Sequence, residues 1–80
     1  MTGVSIMNRP TVAEADVRDM LCAQALAVVA QALERLPIGG ILLVRYGAED
    51  VRKDLLAWAA ERGHAAAEAD PGTLRLERHR

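Results

Sequence analysis

Apolar side chains recur every three or four residues in two stretches of this chain and every second residue in others, and the change of period divides it into elements. Residues 22–36, CAQALAVVAQALERL, hold the strongest helical pattern. Cys22, Leu26, Val29, Leu33 and Leu36 step by four, three, four and three, which places them on one stripe. Pro37 blocks continuation and Gly39-Gly40 turns the chain. Residues 49–62, EDVRKDLLAWAAER, form a second helix with Val51, Leu55, Trp58 and Ala59 on its apolar side. Glu49 and Asp50 suit the positive end of its dipole and Arg62 the negative end, with Gly63 placed to cap it.

Between the helices, the run ILLV at 41–44 is short, continuous and bounded by glycine and charge, as a central strand is. Residues 11–17, TVAEADV, alternate Ala13, Ala15 and Val17 with Glu14 and Asp16, which predicts a half-buried strand. HAAAEA at 64–69 and TLRLER at 73–78 flank Asp70-Pro71-Gly72, a hairpin signal. Residues 1–10 show no period and predict a flexible N-terminal arm ahead of a single domain at 11–80. The order β-α-β-α-β-β predicts an α+β fold, a two-layer sandwich. Its sheet has four strands, mixed in direction, with two helices on one face.

Eighty residues favour one domain and leave little room for a deep enclosed pocket. Hydrophobic residues make up 51% of the chain, so it has the material for a core. The aromatic residues are Tyr46 and Trp58 alone, so that core must come from Leu, Val, Ile and Ala. Their scarcity also removes the stacking platforms that single-stranded nucleic acid needs. A net charge of -1 gives no general attraction to phosphate backbones or anionic membranes, and neither partner is expected. One cysteine cannot form an internal disulfide, which favours a reducing compartment. With no basic start followed by an apolar run, and no apolar stretch of about 20 residues, a cytoplasmic protein is expected.

The candidate chemistry converges on Cys22, the residue that opens the first helix. Unpaired N–H groups and the positive dipole end at that position lower a thiol's pKa, and the thiolate is the nucleophile. The competing reading makes Cys22 a small apolar residue heading the core stripe. Arg18 could assist a thiolate; Asp19 would oppose one and is also a candidate N-cap. Asp16 and Asp54 read as surface or capping carboxylates. His64 enters a strand after Gly63 and His79 lies in the tail, and neither stands at metal-ligand spacing from Cys22. PIGGILLV lacks the lysine and hydroxyl residue of a phosphate-cradling loop, and no cofactor is expected. The basic end RLERHR suits either an acidic partner or, as such tails more often are, a solvated tail.

Taken together, these segments resemble the TusA/SirA-like family of small sulfur-carrier proteins. In DVRDMLC, Asp16 stands six residues ahead of Cys22, similar to the family's Asp-x-x-Gly-x-x-Cys-Pro segment. LPIGGILLV resembles its Leu-x-x-Gly-x-x-Leu-x-Val passage into the second strand, and AEDVRKDLLAWAAERGH its second helix with a closing Gly-His. The resemblance implies the same two-layer β-α-β-α-β-β fold. It also implies a persulfide on Cys22, loaded by a desulfurase or rhodanese-like protein and relayed to a protein acceptor.

The chain departs from that family where the thiol is set up. Cys-Pro-x-Pro is here Cys22-Ala23-Gln24-Ala25, the glycine three residues before the cysteine is Asp19, and the basic residue just before it is Leu21. Proline early in the helix fixes its start; without it Asp19 rivals Cys22 as the starting point, and a start at Asp19 would draw Cys22 inwards. An alternative function follows from those changes, a binding or regulatory module of the same fold without the persulfide chemistry.

Overall fold

The computed structural model describes residues 11–79, and the arm expected at 1–10 lies outside them. The elements follow the expected order: β1 (Val12–Asp16), α1 (Cys22–Glu34), β2 (Ile41–Arg45), α2 (Glu49–Arg62), β3 (Ala65–Asp70) and β4 (Thr73–Glu77). In space the strands run β1-β2-β4-β3. β1 pairs parallel with β2, whereas β4 pairs antiparallel with both β2 and β3, so the sheet is mixed.

One face of the sheet is buried under both helices. Leu42 and Val44 of β2 and Leu74 and Leu76 of β4 point into it, and Leu42↔Leu76 and Val44↔Leu74 are direct cross-strand partners. Val29 and Leu33 of α1 and Val51, Leu55 and Ala59 of α2 close over them. The alternate residues Ile41, Leu43, Arg75 and Glu77 fall on the other, helix-free face. ILLV is therefore a strand buried on one side, and its uninterrupted apolar run overstated its burial.

Because both helices run back from parallel strands, their N-termini lie at the same end of the molecule. The α1 stripe is rotated from the one the spacing predicted. Ala25, Val29 and Leu33 are buried, while Cys22 and Leu26 are half-buried at its margin. Trp58 is likewise half-buried beside Val51, Leu55 and Ala59. Helix α2 ends as expected at Gly63, which takes the left-handed conformation with φ 81°. No helix among the described residues is long and apolar enough to cross a membrane.

Candidate functional site

The segment leading into α1 is held in place before the helix begins. The Val17 N–H donates to the Arg45 carbonyl at 2.8 Å, and Val17 is fully buried. A turn then closes with the Met20 N–H on the Val17 carbonyl at 3.1 Å. Gly47, just past β2, lies directly beneath it. A Cβ there would fall 2.7 Å from the Arg18 carbonyl oxygen, so only glycine lets these two loops touch.

Helix α1 starts at Cys22, not earlier. Leu21 is the N-cap residue, extended at φ -73° and ψ 162°, and its carbonyl accepts the first helical bond from Ala25 N–H at 2.8 Å. Leucine has no capping oxygen. Gln24 supplies half of a capping box instead, its Oε1 accepting from Leu21 N–H at 3.3 Å. Asp19 belongs to the turn, so of the candidate caps it is not the one used. The bonded Val17–Met20 turn fixes the start without proline, so Cys22 is half-buried at the first helical position.

Of the two readings the sequence leaves open for Cys22, its surroundings do not favour an acidic thiol. The Cys22 thiol is pushed up from 9.0 to about 11, first by hydrogen bonding with the Asp54 carboxylate, then by desolvation, then by the charge of Asp50. Asp50 and Asp54 are one turn apart on α2 and so share a side of that helix. The helix end offers Cys22 roughly half a positive charge. Hydrogen bonding with Asp54, burial and the charge of Asp50 all act in the opposite direction. Neither carboxylate forms a salt bridge among the described residues, whereas neighbouring Glu49 is paired with Arg52 at 2.8 Å.

Arg18 does not compensate. Its guanidinium forks onto Asp16, with Nε to Oδ1 at 3.0 Å and Nη2 to Oδ2 at 2.7 Å. That pairing holds the Asp16 carboxyl down at about 2. The residue just before the thiol, Leu21, is 76% exposed and forms an apolar shoulder beside it.

The other candidates gather elsewhere. His64 Nδ1 accepts from His79 N–H at 3.1 Å, and the His64 ring stands 5.7 Å from Trp58. Both histidines are thus far along the chain from Cys22 and at the opposite helix ends. Arg78 is not a solvated tail residue. Its Nη1 donates to the Glu34 carbonyl at 2.9 Å and to the Leu36 carbonyl, satisfying the open C-terminus of α1. Trp58, His64 and Arg78 line a cleft of about 350 Å³ with Leu33 and Glu34. Leu33 is eleven residues along α1 from Cys22, roughly 16 Å at the helical rise, so this cleft is no part of the thiol's surroundings. No group of three or more His, Cys, Asp or Glu among the described residues is arranged to hold a metal ion.

Asp54 read from the sequence as a surface or capping carboxylate, and Asp50 as a helix-dipole partner. Their approach to Cys22 follows from topology. Two β-α units side by side bring both helix starts together, so acids spaced i, i+4 in the first turns of α2 face the first turn of α1. No curated protein and no solved structure matches the chain. The family model described as Sulfurtransferase TusA matches residues 13–77, from within β1 to the end of β4. The chain belongs to the TusA sulfurtransferase family, whose members are sulfur carriers that work with other proteins.

Proposed function

We propose that this protein carries sulfane sulfur as a persulfide on Cys22, receiving it from a desulfurase or rhodanese-like protein and passing it to a protein acceptor. The observation that supports this most is the placement of Cys22. It is the first residue of α1, half-buried and not sealed in the core, in a chain whose family match spans both sides of it. Sγ, as thiolate, attacks the outer sulfur of the donor's persulfide. A new S–S bond forms on Cys22, the donor's S–S bond breaks, and its electron pair leaves on the donor thiolate. Sulfur oxidation states balance, so no further oxidant is needed. A thiol kept for this use belongs in a reducing compartment, which fits work in the cytoplasm.

The test is direct. The protein is incubated with a cysteine desulfurase and free cysteine, and its intact mass is measured. A gain of one sulfur atom that disappears in Cys22→Ser is expected; no adduct on the wild-type chain discards the reading.

The raised thiol pKa and the absence of proline after Cys22 favour a second reading, a docking or regulatory module of the same fold. A Cys22→Ser strain with full function would select it.

A further inference from the structure

We propose that Gln24 is a positioning residue for Cys22: its side-chain amide latches the backbone just ahead of the thiol and holds the first turn of α1 closed. The inference rests on the carrier reading and adds a residue through which access to the thiol is set.

Its ground is the way α1 begins. The Gln24 Oε1 accepts from the Leu21 N–H at 3.3 Å. Leu21, the N-cap residue, makes no side-chain bond in return. Its own side chain is 76% exposed, so packing does not hold it either. Up to Met20 the chain is braced by backbone alone, Val17 N–H on the Arg45 carbonyl and Met20 N–H on the Val17 carbonyl. Beyond it, the first helical bond runs from Ala25 N–H to the Leu21 carbonyl at 2.8 Å. Leu21 therefore stands between a fixed turn and a fixed helix, and Gln24 ties its N–H down.

Cys22 is the next residue, half-buried at the first helical position. With the latch closed it stays there. With the latch open, the Leu21 N–H turns to water, the first turn frays and the thiol swings outwards. Persulfide exchange requires the donor's outer sulfur to reach Sγ, so the share of time the turn is open sets the rate. Gln24 touches no reacting atom and acts only through where it keeps Cys22. It is exposed, so shortening it leaves no cavity in the core.

Gln24→Ala removes the acceptor, and Gln24→Glu keeps one at the same place in the capping box. In the folded Gln24→Ala chain, Cys22 should react with iodoacetamide about threefold or more faster at fixed pH, as loss of a helix cap implies. The midpoint of its pH profile should move from the wild-type value towards 9.0, because burial is one of the causes that raise it. Exchange of the Leu21 amide should quicken in Gln24→Ala and return to the wild-type rate in Gln24→Glu. Arg78→Ala, which loosens the other end of α1, should change neither reading, so a general loss of stability is told apart. Wild-type alkylation in the folded Gln24→Ala chain, or a Leu21 amide that Gln24→Glu fails to slow, overturns the latch. With a desulfurase and free cysteine, Gln24→Ala should gain its sulfur atom faster than the wild-type chain. No adduct on either chain would instead remove the relay reading and leave the latch to be decided by the alkylation rates.

Discussion

Cys22 opens α1, and Asp54, in the second turn of α2, is the first of the groups that raise its thiol pKa. Alkylation of Cys22 by iodoacetamide should therefore rise with pH around a midpoint near 11 in the folded protein, and near 9.0 in urea. The folded state holds this proton more tightly than the unfolded state. Its contribution to stability is complete below pH 9.0 and fades as pH climbs through about 11. A native midpoint at or below that in urea would show that the carboxylates do not govern the thiol.

Asp16 behaves in the opposite sense. Paired with Arg18, it titrates at about 2 in place of 3.8. The folded state holds this proton less tightly, so the contribution exists above pH 3.8 and is lost as pH falls towards about 2. In Arg18→Ala the Asp16 carboxyl should titrate close to 3.8, seen by carboxylate NMR. The melting temperature at neutral pH should barely move, because the pair is exposed and screened.

Arg78→Ala should destabilise the fold by about 1–2 kcal/mol in urea denaturation, since it strips a charged donor from the end of α1. Arg78→Lys should recover part of the loss, as one ammonium reaches only some of the same carbonyls. The alkylation midpoint of Cys22, at the far end of the helix, should stay where it was.

Gly47→Ala should cost roughly 1–3 kcal/mol, because its methyl group meets backbone at 2.7 Å and the loop before α1 must move. Unlike Arg78→Ala, it should also shift the alkylation midpoint of Cys22. A stability loss with an unchanged midpoint would mean that the brace under the loop does not position the thiol.

The elements were legible because their signals are local. Leu74 and Leu76 alternate with charge and end in the core, and Pro37, Gly63 and Pro71-Gly72 mark the breaks where the structure has them. Borders moved by one or two residues: α1 stops at Glu34 and β3 starts at Ala65. The less legible features depend on contacts distant in sequence. Arg78 caps carbonyls 44 and 42 residues away, and the thiol's acidity is set by Asp54 on the other helix. The helix starts at Cys22 as the pattern predicts, but what fixes it there was not legible, because a backbone turn and Gln24 do the work usually assigned to a capping side chain or a proline.

The carboxylates that restrain Cys22 exist around it only while α1 and α2 are packed. An unfolded or transiently opened molecule has an ordinary thiol near 9.0, more reactive at neutral pH than the native one. Under peroxide, damage would therefore fall first on molecules that have lost their shape, and the intact ones would keep their single cysteine for use. Native-state labelling of Cys22 then counts openings of the fold in the manner of amide exchange, with the protein serving as its own probe.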